Sequence, residues 1–161
     1  MMQARMRQMC LTVVVVASVV LLAGTAFAQT NIGTWKLNVA KSKYNAGTPP
    51  KSSTFTTEVA GAGVKTTLDS VAADGTVSHS VYTANYDGKD SPITGKNNNG
   101  DMIARTRVDA NTTRSIYKQG GKVSVTQTAV VSSDGKTMTI TAKGTNAAGQ
   151  PVDSVGVWEK P

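Results

Sequence analysis

The sequence predicts an all-β fold, a single antiparallel up-and-down meander barrel of about eight to ten strands. Two observations predict it. After Gln29, apolar and polar residues alternate, β-branched residues abound, and hardly any run carries apolar residues at helical spacing. Dipeptides suited to tight hairpin turns separate the alternating segments, and they are Asp74-Gly75, Asp87-Gly88, Gly120-Gly121 and Asp134-Gly135. Successive hairpins place chain neighbours next to each other in the sheet, which is a meander.

Ten alternating segments are the predicted strands. They fall at about 33–38, 53–60, 63–70, 76–86, 91–94, 102–109, 112–118, 122–132, 137–144 and 152–159. Closure into a barrel is favoured because it removes exposed strand edges, and a two-sheet β-sandwich is the alternative. The segment 39–53 is the longest predicted irregular connection, either a loop or a short helical turn, since Pro49-Pro50 excludes a regular strand there.

Residues 1–28 have the layout of a cleavable signal peptide. Arg5 and Arg7 form a basic start, an apolar stretch covers 11–22, and a small-residue pattern ends at Ala28. The apolar stretch is shorter than the roughly 20 residues that span a bilayer. We therefore expect cleavage after Ala28, no transmembrane segment afterwards, and a secreted or periplasmic protein.

Cleavage would leave residues 29–161, a size typical of one domain, which we assign as a single β-barrel domain. The only cysteine, Cys10, lies in the leader, so neither a disulfide nor a cysteine-ligated metal is expected. The remaining lysines are scattered rather than clustered with aromatic residues, so we expect no nucleic-acid partner.

Few side chains are suited to catalysis. His79 is the single histidine, which argues against a histidine metal site, and no pair of carboxylates is marked by spacing. We expect no metal, no cofactor and no assigned catalytic residue. A non-enzymatic role is favoured, and a hydrolase-type enzyme is the third hypothesis, because carboxylates and tyrosines alone can perform acid–base chemistry.

Three arginines are candidate ligand-binding residues. Arg105 and Arg107 share a strand face, and Arg114 lies on the following strand. Facing into a barrel, they would form a cationic cluster for a carboxylate or phosphate. The favoured orientation is the opposite one, with the arginines in water and the residues between them, Ala104, Thr106 and Val108, in the core.

Aromatic residues supply the remaining candidates. Tyr82, Tyr86 and Tyr117 would either line a ligand cavity or cap the rim of the core with their hydroxyl groups in water. Trp35 and Trp158 lie near the two ends of residues 29–161. If the first and last strands pair, both rings should be mostly buried at the closure of the barrel.

The segments Gly33-Thr34-Trp35-Lys36-Leu37 and Val157-Trp158-Glu159-Lys160 resemble the ends of proteins in the calycin superfamily, which includes lipocalins and fatty-acid-binding proteins. The chain is also similar to small exported bacterial lipocalin-like proteins of unassigned activity. The resemblance implies a barrel around an apolar cavity that holds a small hydrophobic ligand. Two features depart from it: Gly156 stands where fatty-acid-binding proteins commonly have a carboxylate-binding arginine, and Pro49-Pro50 lies where a helical lid is expected.

The favoured hypothesis is a non-catalytic exported protein that binds a small apolar or amphipathic molecule inside the barrel. The alternative is an envelope interaction module that binds a protein or polysaccharide through its threonine-rich outer face or its loops. The small supply of large apolar residues motivates this alternative, because it suits a filled interior.

Overall fold

Ten strands follow one another along residues 30–161, the part of the chain that this computed structural model describes. They are β1 (Gly33–Ala46), β2 (Ser52–Ala60), β3 (Gly63–Val71), β4 (Val77–Ala84), β5 (Asp87–Gly95), β6 (Met102–Arg107), β7 (Thr112–Gln119), β8 (Lys122–Val131), β9 (Thr137–Thr145) and β10 (Pro151–Glu159). The predicted signal peptide, residues 1–28, lies outside the described residues. Within them, no helix is long and apolar enough to cross a membrane.

The strands form a closed antiparallel barrel. Each strand pairs with its neighbours in the chain, and β1 pairs with β10 to complete the circle. The predicted meander barrel is therefore confirmed, and the two-sheet sandwich is wrong. Closure leaves every strand with a partner on both sides.

Glycine turns set the hairpins largely as the sequence predicts. Gly120 and Gly121 alone join β7 to β8, with φ of +56° and +78°. Such positive φ angles match the twist of a two-residue hairpin, and only glycine adopts them without strain. The turn predicted at Asp87-Gly88 is wrong, because both residues already belong to β5. The register of β5 with β6 shifts between Asp87 and Asp90.

The first strand is longer than predicted. β1 continues to Ala46 through most of the segment expected to be irregular, and its pairing with β10 skips from Asn38 to Lys43. Side chains satisfy the backbone within this bulge: the Ser42 hydroxyl donates to the Asn38 carbonyl at 2.7 Å and accepts the Val157 amide at 2.9 Å. The expected loop or helical turn is therefore wrong, and the irregular connection shrinks to residues 47–51.

The two openings of the barrel differ. At the end where β1 begins, which we call the Trp35 end, the Trp35 indole donates to the Asn31 carbonyl at 3.0 Å, and the Asn31 side chain is hydrogen-bonded to the Tyr86 hydroxyl at 3.1 Å. At the opposite end, which we call the Asn97 end, the β5–β6 and β9–β10 connections meet, where the Ala147 amide donates to the Asn98 carbonyl at 2.9 Å.

Inward-facing apolar residues form two clusters rather than one continuous core. One contains Trp35, Val131 and Met138, with Phe55, Ala129, Ile140 and Trp158 packed against it. The other contains Tyr82, Ala84, Ile103, Tyr117, Val125 and Ala142, with Ile93 and Val152 packed against it. The interior between and beside them carries polar side chains, and a cavity opens there.

Candidate ligand site inside the barrel

A cavity of about 260 Å³ occupies the barrel interior. Inward-facing residues from nine of the ten strands line it, β5 contributing none. One water molecule occupies roughly 30 Å³ in the liquid, so the cavity has room for about nine groups of that size. The space lies just below the range of roughly 300–1,000 Å³ that is usual for small-molecule pockets. It suits a small ligand.

The cavity wall is amphipathic. Its apolar part comes from the Trp35 cluster and from two nearby leucines, and includes Leu37, Phe55, Leu68, Ile140 and Trp158. Its charged part consists of two cations, Arg105 and Lys96, and no aspartate or glutamate is among the described residues that line it. A net positive, partly apolar interior favours an anionic amphipathic occupant.

Arg105 is the most unusual residue of the wall. It lies on β6, its exposed fraction is 6%, and its Nε atom is buried with no hydrogen-bond partner among residues 30–161. The Tyr86 ring lies 5.3 Å from its guanidinium carbon, and no described carboxylate forms an ion pair with it. A buried charge without a counter-charge is costly, so this guanidinium presents unused donors to the cavity.

Two buried tyrosines share the wall with Arg105. Tyr117 and Tyr82 are 5% and 8% exposed. Burial raises the pKa of Tyr117 well above its usual value of 10.0, and the neighbouring Tyr82 raises it further, while Arg105 and Asn99 oppose this shift. The Tyr117 phenol therefore keeps its proton at physiological pH and can donate it to an anion beside Arg105.

The structure separates the three candidate arginines. Arg105 and Arg107 share the inward face of β6, and Arg107 stacks on the Tyr86 ring, 4.3 Å from its centroid. Arg114 is exposed on the outer face of β7. It does not join the other two.

The predicted orientation of β6, with its arginines in water, is wrong. Thr106 is exposed, and Val108, just after the strand, is 61% exposed, so neither belongs to the core. Ala104 is buried, although it lies on the same side of β6 as Thr106. Arginine takes the interior positions because this part of the interior is a polar cavity rather than a packed core.

The tyrosine candidates also divide. Tyr82 and Tyr117 line the cavity, whereas Tyr86 lies at the Trp35 end between Asn31 and the two inward arginines. Whether any of them binds a ligand stays a prediction.

The two tryptophans lie where the closing strands pair. Trp35 is fully buried, Trp158 is half-buried, and Trp158 faces Leu37 across the β1–β10 ladder. Their rings are connected through Phe55, whose centroid lies 6.4 Å from that of Trp35 and 4.7 Å from that of Trp158. Trp158 also lines the cavity, in addition to its predicted place at the barrel closure.

The cavity wall also contains polar residues that were not predicted from the sequence. Ser115, Gln127 and Ser154 point inward on β7, β8 and β10 and line the cavity. Alternation contained a usable signal, because Ser115 lies two residues before the inward Tyr117 and Gln127 lies two before Ala129. Serine and glutamine are common on both faces of a strand, so their residue type alone does not mark them as cavity residues.

The cavity opens at the Asn97 end. A second space of about 650 Å³ lies outside the barrel mouth, lined chiefly by hydroxyl and amide side chains. The two spaces share six lining residues, which are Pro50, Ser70, Ser78, Lys96, Asn97 and Asn98. A ligand therefore has a continuous polar path from solvent into the barrel.

Outside the cavity, His79 is exposed on β4, and its Nδ1 lies 2.7 Å from Asp69 Oδ1 on β3. Residues 30–161 contain no group of three or more potential metal-ligating side chains. Thr128 and Thr141 face each other on the outer surface, as the sequence predicts, and a partner for this face stays a prediction.

No protein-family model matches the sequence, and no curated protein matches it. Among solved structures, the barrel is similar to zebrafish ileal bile acid-binding protein, crystallised in complex with cholic acid, with a TM-score of 0.48 and 14% sequence identity. The alignment covers 82% of this chain and 99% of that one. The closed ten-stranded meander agrees with the barrel that the resemblance of the chain ends implied.

Proposed function

We propose that the protein binds a small amphipathic molecule with an anionic head inside the barrel. The observation that carries the proposal is the buried guanidinium of Arg105. In the part of the chain that the structure describes, its Nε has no hydrogen-bond partner and the cavity that it lines has no acidic residue. A carboxylate can accept two hydrogen bonds from one guanidinium and would neutralise its charge. The proposed role is non-catalytic.

The wall indicates how such a molecule lies. Its carboxylate would contact Arg105 and the Tyr117 phenol, and its apolar part would pack against Leu37, Ile140 and Trp158. Burying apolar surface contributes about 25 cal/mol per Å², and the charged contact sets the orientation. Arg107 lies beside Tyr86 rather than in the cavity wall, and Arg114 lies outside the barrel, so both are left out of the proposed site.

The test compares an anion with a neutral molecule of the same chain length. Octanoate and octanol are titrated into the protein by calorimetry, first with the parent and then with Arg105→Met. Methionine keeps much of the aliphatic stem and removes the charge. We expect octanoate to bind the parent at least tenfold more tightly than octanol and the variant to lose that preference, since hydrogen bonds to charged groups contribute about 1.5–3 kcal/mol.

Arg114→Met is the matched control, because it makes the same change on the outer face. Its octanoate affinity should equal that of the parent. Arg105→Met should also melt at the same temperature as the parent or above it, since it removes an unpaired buried charge. Equal octanoate affinity in the parent and in Arg105→Met, or no octanoate binding by the parent, would contradict the proposal.

We also propose that the protein acts after export and removal of residues 1–28. The support is the signal-peptide layout of that segment. The full-length chain is expressed in a bacterium, and the mass of the protein recovered from the periplasm or medium is measured. A chain beginning at Gln29 is expected, whereas an intact chain retained in the cytoplasm would contradict export.

A further inference from the structure

We infer that the molecule held in the barrel is a hydroxylated carboxylate, a short hydroxy acid rather than a plain fatty acid. The inference rests on the proposed function and refines it. A row of inward-facing polar side chains begins at Arg105 and continues around the wall, so that groups able to bind a hydroxyl lie next to the group that binds the carboxylate.

The strand register builds this row. Arg105 on β6 pairs with Ser115 on β7, and Ser115 pairs with Gln127 on β8. Directly opposed residues on one face of an antiparallel pair have β carbons about 5 Å apart. Ser154 on β10 continues the same level of the barrel beyond Ala142. A ligand carboxylate on Arg105 therefore has Ser115 as its immediate neighbour and Gln127 as the next.

These polar groups are unengaged. Within residues 30–161, no hydrogen bond involves the side chains of Ser115, Gln127 or Ser154. Other interior hydroxyl groups form hydrogen bonds with each other or with amide side chains. The hydroxyls of Thr57 and Thr66 lie 3.2 Å apart, and the Asn97 amide donates to the Ser80 hydroxyl at 3.1 Å. A plain acyl chain against the row would cover donors and acceptors and leave them unsatisfied, which costs about 1–3 kcal/mol for each group.

The opposite side of the cavity carries the aromatic and aliphatic side chains of Phe55, Leu68 and Trp158. The hydroxyl groups beside them, on Ser53, Thr57, Thr66 and Ser70, already have hydrogen-bond partners within the described residues. This side therefore suits an aliphatic edge better than the fully polar surface of a sugar acid. With space for about nine water-sized groups, the cavity fits about six carbons, including that of the carboxylate, with one hydroxyl group nearby, and the end of a longer chain would extend into the open mouth of the barrel. The wall is matched on one side to the hydroxylated edge and on the other to the aliphatic edge.

The experiment compares β-hydroxyoctanoate with octanoate by calorimetry on the parent protein. We expect the hydroxy acid to bind at least tenfold more tightly, because a site that hydrogen-bonds a hydroxyl discriminates against the analogue that lacks it. Gln127→Met, which keeps the side-chain length, and Ser115→Ala should each reduce this ratio toward one, with octanoate affinity unchanged or higher because the acyl chain no longer covers an unsatisfied polar group. Thr128→Val, an outward change on the same strand, is the control and should leave the ratio unchanged.

The outcomes separate the two proposals. If octanoate binds in an Arg105-dependent way but the hydroxy acid binds no better, the inference is overturned and the proposed function stands. If neither acid binds, both fail. Because the ratio is measured first on the parent protein, the inference remains testable even if one variant does not fold.

Discussion

The rings of Phe55 and Trp158 lie 4.7 Å apart, centroid to centroid, although β1 separates the strands that carry them. Both rings point into the barrel and meet over the inner surface of β1. Trp35, on β1 itself, stacks against Phe55 with a centroid distance of 6.4 Å. The seam between the first and last strands is thus covered from inside by three aromatic rings.

Replacing Trp35 should strongly destabilise the fold. Its side chain is fully buried and its indole hydrogen bond to the Asn31 carbonyl is buried as well. We expect Trp35→Ala to lower the free energy of unfolding by about 3–5 kcal/mol in urea denaturation, as for other large-to-small core changes. Trp158→Ala should cost less, because Trp158 is only half-buried. Val123→Ala, at a site 63% exposed, serves as the control with little effect. Equal losses for Trp35→Ala and Val123→Ala would contradict this account of the seam.

Gly144 should not tolerate a side chain. Its φ is +142°, and a β carbon there would collide with the Ser124 carbonyl oxygen on the neighbouring β8. We expect Gly144→Ala to cost about 3 kcal/mol or more, from strain and overpacking together. Gly121→Ala is the comparison, since φ there is +78° but nothing lies near the added carbon. The melting temperature of Gly144→Ala should be well below that of Gly121→Ala. The reverse order would refute the close approach of Gly144 to the Ser124 carbonyl.

Acid should destabilise the protein through its turn carboxylates. Hydrogen bonds from the Asn111 backbone amide and then from Thr112 lower the pKa of Asp109 below its usual 3.8. A carboxyl group whose pKa is lower in the folded state than in the unfolded state stabilises the fold at pH values above its unfolded-state pKa. This stabilisation is lost as the pH falls through the folded-state pKa. The melting temperature should be flat from about pH 7 to about pH 5 and fall below about pH 4. Asp109→Asn should show a shallower fall, and an identical slope would contradict the assignment.

Tyr117 should act as a donor to the ligand and not as a titrating group. Because burial raises its pKa well above 10.0, octanoate affinity should be constant between about pH 6 and pH 9. Tyr117→Phe should weaken octanoate binding about tenfold by calorimetry, the usual effect of losing a hydrogen bond to a charged group. Tyr86→Phe is the control, since Tyr86 is not among the residues that line the cavity and its hydroxyl is hydrogen-bonded to Asn31. A similar loss in both variants would argue against the donor role.

Most of the fold could be predicted from local signals. Alternation located all ten strands, and the glycines at 75, 121 and 135 marked hairpins that the structure confirms. The extension of β1 could not be predicted, because it depends on the Ser42 hydroxyl accepting an amide from Val157, which is remote in the sequence. A bulge satisfied by such a contact breaks the two-residue period by which strands are recognised.

The site was only partly predictable, for a related reason. Alternation places Arg105 and Arg107 on one face of β6 but does not say which face points inward. The general preference of charged residues for water favoured the wrong face. Register with β7 gives the answer, since Arg105 opposes the buried Ser115 and Ile103 opposes the buried Tyr117, and this pairing is visible only in the folded chain.

The order of the strands also shapes how the barrel assembles. Nine of its ten strand pairs join segments that follow each other in the chain, and only the β1–β10 pair joins distant ones. Nine hairpins can form through short loop closures, whereas the last ladder requires the two ends of the sheet to find each other. Docking of β1 against β10 is then the natural final step of folding. Until it occurs, the chain is a curled open sheet with two bare edges, and this is the stage at which it is most exposed to self-association.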